Sequence, residues 1–346
     1  MKSNLGKCKF IINPSIDVRT AYSIGNIYIN ITAFKGGFIT SEIMVEDINI
    51  GITVTVKLTI ILLLNISIGL TGIDFIIHKF LPSNDIDACV VTLSDTNNEI
   101  TNGITDDTIL DNVGISHLGT YKSAEDQDKI LIKDVKGVKI AFINYTYGTN
   151  GIPVPSDKPY CLNLIDKDLI SKQIKQAKEQ NVDMIVACMH WGTEYKTSAN
   201  DEQKELADFL FKSGVDIILG NHPHVLEPME KKTITLDDGS TKDVFVVYAL
   251  GNFTADQRAE ITRDSAILNL DITKDSDGKI LINKVSYVPI YMYKNSAAKV
   301  HKFKILDIEK SIANYDSGDT SIGSSVYSNL KVQLQKIRDI LGDEIN

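Results

Sequence analysis

MIVACMHWGTEY (184–195), VDIILGNHPHVLEP (215–228) and VFVVYALGNF (244–253) are the stretches that decide the fold of this chain. Each starts with an apolar run rich in β-branched residues and ends abruptly in polar, ligand-type side chains. The endings carry His190 and Glu194, then Asn221, His222 and His224, then Asn252. In an open α/β sheet, ligands collect beyond the carboxyl ends of the strands. Three such ends in one sheet place three of the chain's six histidines around one crevice.

The surrounding pattern supports strands alternating with helices. Residues 166–180 read as a helix with Asp166 as N-cap and Leu169, Ile170, Ile174 and Ala177 on one face. A second helix, 201–213, opens on Asp201 and Glu202 and stops before Gly214. Strand, helix, strand in succession argues for parallel pairing with right-handed crossovers. Upstream, 86–93 reads as a strand, 104–112 as a helix, and 129–147 as two strands joined by a turn at Lys136-Gly137. Downstream, residues 231–243 read as a turn insertion around Asp237-Asp238-Gly239. Two more strands and an amphipathic helix at about 325–341 follow.

The 346 residues carry a net charge of −9 and four widely spaced cysteines. No basic stripe is present, so nucleic acid is not an expected partner. No CxxC spacing marks a zinc knuckle, and no disulfide framework is legible. Composition shifts near residue 81, and two parts are expected: an atypical segment, 1–80, and a domain over 81–346. The first 80 residues hold 19 isoleucines and only 12 charged residues. Between 48 and 73 the single charge is Lys57, and the uncharged run 58–73 is a candidate membrane helix. It is short for a span, which needs about 20 residues. Its Ile, Val and Thr positions equally suit buried strands. No signal peptide is evident after Met1.

His222-Pro223-His224 holds the strongest chemistry. Histidines at i and i+2 on an extended segment project to one side, and the proline between them restrains the backbone. Such a pair can bind one or two divalent ions, and imidazole suits Zn, Mn, Fe or Ni. The plainer reading is a polar loop with exposed histidines. The second His-bearing strand end, 30 residues upstream, favours a site. His190 can equally be a satisfied interior histidine and Trp191 a core cap. Glu194 can ligate a metal, orient a histidine or be solvated. Asn252 can turn the chain or hydrogen-bond a substrate.

HWGTEY, GNHPHVLEP and YALGNF resemble the three C-terminal motifs of the CapA/PgsA-type capsule and poly-γ-glutamate synthesis proteins. GISHLGTYKSAED and GVKIAFINYTYGTNG resemble that family too, and the likeness runs from about residue 81 to 342. It implies a metallophosphoesterase-like α/β fold, a β-sandwich flanked by helices in four layers, α-β-β-α. It also implies a divalent metal site, with Mn, Zn or Fe in one or two positions, ligated by His190, His222 and His224. Asn98 is a further ligand candidate, and Glu99 and His190 are the catalytic candidates. Asn252, Trp191 and Glu194 are expected on the substrate side. The family's Asn-Asn-His motif stands here as Asn97-Asn98-Glu99, and a carboxylate is not an imidazole in charge or donor ability. The family's Gly-Asp and Asn-Leu-Glu segments, which supply acidic ligands, have no counterpart in residues 1–80. That region has either diverged or, given its isoleucine excess, reflects a shifted reading frame. Translating the other two frames upstream of codon 81 tests the second idea, which fails if neither segment emerges.

The expected activity is therefore capsule or poly-γ-glutamate biosynthesis with a metal site that hydrolyses a phosphoester. The alternative is a catalytically degenerate accessory protein of polymer synthesis or export. Partners would be a polyanionic polymer or phosphoester substrate and other capsule-synthesis membrane proteins, at the cell surface. A chain of charge −9 repels a polyanion, but salt limits the reach to about 8–10 Å.

Overall fold

The computed structural model describes residues 116–149, 153–253, 255, 257–295 and 303–342 with their side chains. It describes 19–24, 27–34, 38–45, 56–63, 73–80 and 89–95 as strand backbone. Three upstream strands, β1 (Arg19–Ile24), β2 (Ile27–Phe34) and β3 (Phe38–Val45), form an antiparallel sheet of their own.

The first main sheet is built on β9 (Val138–Thr146), β10 (Met184–His190), β11 (Ile217–Asn221) and β13 (Thr241–Leu250), all mutually parallel. Antiparallel edges are supplied by β8 (Leu131–Val135) and β12 (Leu226–Thr235), giving the order β12-β13-β11-β10-β9-β8. Every residue of β10 and β11 is buried, as expected for parallel strands covered on both faces. The β8–β9 turn falls at Lys136 (φ 53°) and Gly137 (φ 84°). Two positive φ values match the right-handed twist of the hairpin they close.

The second main sheet has the order β16-β15-β14-β4-β5-β6-β7. It comprises β4 (Val56–Leu63), β5 (Ile73–Phe80), β6 (Cys89–Asp95), β7 (Ser116–Leu118), β14 (Asp264–Lys274), β15 (Ile280–Lys294) and β16 (Phe303–Asp307). Of the stretch weighed as a membrane helix, 58–73, residues 58–63 lie in β4, which pairs with β14 and β5, and Ile73 opens β5; 64–72 lie outside the described residues. Its β-branched content favours the pleated form over a helix. Among the described residues no helix is long and apolar enough to cross a membrane.

The two sheets share one core. Phe142, Val186, Cys188, Leu219 and Val247 pack with Leu268, Leu270, Ile272, Ile282 and Val285, so the architecture is a β-sandwich. On the other face of the first sheet lie α2 (Lys167–Glu179) and α3 (Asp201–Ser213), preceded in the chain by the single turn α1 (Ala124–Gln127). Ile170, Ile174, Ala177, Leu206, Leu210 and Phe211 seal them against Ile143, Ile185, Ala187 and Val246. Asp166 caps α2 as anticipated, accepting from Leu169 N–H. The α3 start is a capping box formed by Asn200 and Gln203, which the acidic first turn had masked in the sequence. Helices α4 (Ile308–Asp316) and α5 (Ser324–Leu341) bring Ile308, Leu330, Ile337 and Leu341 into the inter-sheet core. The presumed insertion at 231–243 is an extension of the β12–β13 hairpin, with only its tip irregular. The helix expected at 104–112 lies outside the described residues.

Candidate active site at the strand ends

The carboxyl ends of β9, β10, β11 and β13 converge. The His190 and His222 rings lie 4.6 Å apart in an edge-to-face arrangement, and His222 and His224 lie 6.2 Å apart. Backbone ties hold the loops in place. Trp191 N–H donates to Asn221 C=O, Tyr195 N–H to Pro223 C=O and Tyr147 N–H to His190 C=O. Pro223 sits between two residues with positive φ, His222 at 106° and His224 at 61°. Non-glycine residues rarely adopt such values, and strain of this kind, of order 1–3 kcal/mol, concentrates at functional sites.

The hydrogen-bond network fixes the tautomers of two imidazoles. Thr146 Oγ1 donates to Gly148 C=O at 2.9 Å, so its contact with His190 Nδ1 at 3.1 Å must be accepted from an Nδ1–H. Asn252 Nδ2 donates to Thr262 C=O, which turns Asn252 Oδ1 toward His224 Nδ1 at 2.9 Å. That nitrogen is therefore also protonated. In the neutral form of either ring Nε2 then carries the lone pair, the ligating form. Burial pushes the His190 pKa well below the usual histidine value, with His222 and His224 adding to the effect. Burial, and then His224, lowers His222 to about 4. Both rings are thus neutral at physiological pH.

Glu194 is half-exposed, with one carboxylate oxygen 3.9 Å from His224 Nε2. Two exposed tyrosines frame the mouth. Tyr147 packs 4.5 Å from the His222 ring, and Tyr195 stacks on His224 at 6.0 Å. Burial and then the nearby Glu194 charge raise both phenol pKa values, so both stay protonated.

Of the residues singled out in the sequence, His190, His222, His224, Glu194 and Asn252 come together. Asn252 is 1% exposed and orients His224, so its amide is committed to the histidine. Trp191 departs from expectation. It is 2% exposed, stacks on Tyr248 and donates Nε1–H to Tyr248 C=O on the helix side of the sheet. Strand alternation puts it on the face opposite His190, so it anchors the strand end from the helix side, away from the histidines. Asn98 and Glu99 lie outside the described residues. The strand-end rule, had it been applied to INYTYG as well, would have found Thr146 and Tyr147.

Behind the loops sits a second buried polar unit that sequence reading missed. Glu227 on β12 is fully buried, and Gln203 Nε2 donates to its Oε2 at 2.6 Å. Gln203 Oε1 in turn accepts from Asn200 N–H. Burial raises the Glu227 pKa to about 7 against the hydrogen bond from Gln203, which lowers it. The capping box of α3 is thereby joined to the strand that follows His224.

The donor chemistry fits a divalent ion in kind: neutral imidazoles at His190 and His222, beside a buried amide oxygen of Asn221 with no hydrogen-bond partner. Among the described residues, no three His, Cys, Asp or Glu side chains converge closely enough to hold an ion by themselves.

An α/β sandwich with a histidine-lined crevice at its strand ends is the class these features define. The profile of the bacterial capsule synthesis protein family PGA_cap matches residues 81–257, and the chain belongs to that family. It is 33% identical over 183 residues to the PGA biosynthesis protein CapA of Bacillus subtilis strain 168, covering 53% of this chain and 44% of that one. It is 31% identical over 171 residues to the capsule biosynthesis protein CapA of Bacillus anthracis, covering 48% and 39%. The chain thus spans less than half the length of these curated relatives. Among solved structures, the Haemophilus influenzae NAD nucleotidase shares 15% identity over 72% of this chain and 45% of its own, with a TM-score of 0.39. The Thermus thermophilus sulfate thiohydrolase SoxB shares 13% over 68% and 34%, with a TM-score of 0.34. At these values the two carry no inference about chemistry.

Proposed function

We propose that this protein serves capsule polymer synthesis of the poly-γ-glutamate type, through a divalent-metal site that cleaves a phosphoester. The observation that carries the metal reading is the pair of anchored imidazoles. His190 and His224 each spend Nδ1–H on a neutral acceptor, which leaves Nε2 as the ligating nitrogen, with the neutral His222 ring beside both. His190, His222 and His224 would supply imidazoles to one or two ions, and Asn98 and an acidic group from outside the described residues would complete their shells. A bound ion of this kind supplies Lewis acidity and an activated water. The chain's own contribution is to keep the imidazoles neutral, to orient them through Thr146 and Asn252, and to frame the entrance with Tyr147, Glu194 and Tyr195. The role in polymer synthesis is supported by membership of the capsule family.

Chelator-stripped protein, reloaded with Mn²⁺ or Zn²⁺, is expected to bind the ion by elemental analysis and to hydrolyse bis(p-nitrophenyl) phosphate. Changing His222 and His224 together to Ala should abolish both. Protein that binds no divalent ion sinks the reading. The departures of the sequence from the family pattern, Glu99 in place of a histidine and no Gly-Asp or Asn-Leu-Glu segment in residues 1–80, support a second reading, an accessory protein without turnover. That reading expects a folded His222→Ala variant to support polymer formation in cells at the wild-type level, and loss of polymer would rule it out.

A further inference from the structure

Asn221 closes β11 and is the register partner of His190 on β10. Paired residues of a parallel ladder carry their side chains on the same face. Val186 and Cys188, which share the His190 face, and Ile217 and Leu219, which share that of Asn221, all lie in the inter-sheet core. His190 and Asn221 therefore project together, at the carboxyl edge of the first sheet, toward the space between the sheets. Asn221 is 4% exposed, and its Oδ1 has no hydrogen-bond partner. Leaving a buried acceptor unpaired costs about 1–3 kcal/mol, and a native protein keeps such a group for a reason. Asn144 also has an unpartnered buried oxygen, but it pairs with Cys188, two residues behind the strand ends. At about 3.3 Å per residue it sits roughly 7 Å back from them. Of the two, Asn221 is the one level with His190 and followed directly by His222.

We propose that Asn221 Oδ1 is an oxygen ligand for a divalent cation shared with the histidines, resting on the metal reading above. An amide oxygen is a hard, neutral donor. Combined with imidazole nitrogens it makes a mixed N,O set, which suits Mn²⁺ and Fe²⁺ as well as Zn²⁺. It also gives the orphaned oxygen its partner and places a donor on the sheet itself, the most rigid element of the crevice.

The test titrates full-length, chelator-stripped protein with Mn²⁺ and follows free Mn²⁺ by electron paramagnetic resonance, with melting curves of the metal-free proteins alongside. Asn221→Ala should bind Mn²⁺ at least about tenfold more weakly than wild type. Asn221→Asp, which keeps the oxygen and adds a charge, should bind as tightly or more tightly, a gain that a merely structural role cannot produce. Wild-type affinity in Asn221→Ala, where His224→Ala loses binding, overturns the assignment and leaves the metal reading standing. Equal losses in the Ala and Asp variants also overturn it. If Asn221→Ala does not fold, the Asp variant decides alone, and weaker binding than wild type counts against the proposal. Wild-type protein that binds no Mn²⁺ overturns both readings together.

Discussion

Replacing Glu227 by Gln should remove a pH dependence of stability that can be worked out from the structure. The Glu227 carboxyl is fully buried, and its pKa is raised from an ordinary 4.5 to about 7, chiefly by burial. A raised carboxyl pKa means that the folded state holds the proton more tightly than the unfolded chain. The resulting stabilisation is complete below about pH 4.5 and is lost as pH rises to about 7. A gap of about 2.5 units corresponds to about 3 kcal/mol. Glutamine keeps an acceptor for Gln203 Nε2 but cannot ionise. Other groups also titrate in this window. Asp264, likewise raised to about 7 by burial, slopes the same way. His190 and His222, both lowered by burial, slope the opposite way, because the unfolded chain takes up their protons as pH falls below about 6.5. These contributions are common to both proteins and cancel in the difference. Urea unfolding of wild type and Glu227→Gln, every half unit from pH 5 to 8, should give curves that diverge. Relative to the variant, the wild type should lose about 2.5 kcal/mol over that range, the remainder having gone below pH 5. Parallel curves would refute the claim that Glu227 is held protonated in the fold.

A methyl group at Gly220 would stand 1.9 Å from Tyr248 C=O and 2.6 Å from Trp191 Nε1. Gly220→Ala should therefore cost about 3 kcal/mol or more, read as a fall in the denaturation midpoint, and a neutral result would mean that β11 and β13 are not in this register. Asn252→Ala removes the acceptor that sets the His224 tautomer, and calorimetric Mn²⁺ affinity should fall about 10–100-fold; unchanged affinity would take Asn252 out of the site. Lys136 holds φ 53° in the β8–β9 turn, so Lys136→Asn should stabilise the protein by about 0.5 kcal/mol, seen as a higher melting temperature, and a lower one would count against the turn geometry.

Much of the fold was legible because its signals are local. Runs such as IVACM and DIILG can satisfy their side chains only when buried on both faces. Asp166 and Gly214 punctuate the helices between them, and the order strand, helix, strand leaves parallel pairing as the outcome. What stayed hidden depends on pairing across long separations. Asn221 is legible in the sequence as a polar strand end, but only the register sets it level with His190. Glu227 looks solvated until β12 pairs with β13 and Gln203 arrives from α3. The stretch 58–73 is ambiguous for a different reason. An uncharged Ile- and Leu-rich run satisfies both a lipid-facing helix and a buried strand, and in its described part, 58–63, pairing with β14 and β5 makes it a strand.

His190 and Trp191 show how closely stability and site chemistry are joined here. They are neighbours in sequence but face opposite sides of the sheet. Trp191 is fixed from the helix side by stacking on Tyr248 and by its hydrogen bond to Tyr248 C=O, a contact open only because residue 220 is glycine. His190 is fixed from the inter-sheet side by Thr146. Moving the strand end by one residue would exchange the two faces, burying the indole between the sheets and turning the imidazole toward α3. The helix-side core is therefore what holds His190 level with Asn221 and beside His222. Substitutions at Trp191 or Gly220 should accordingly weaken metal binding although neither residue faces the crevice.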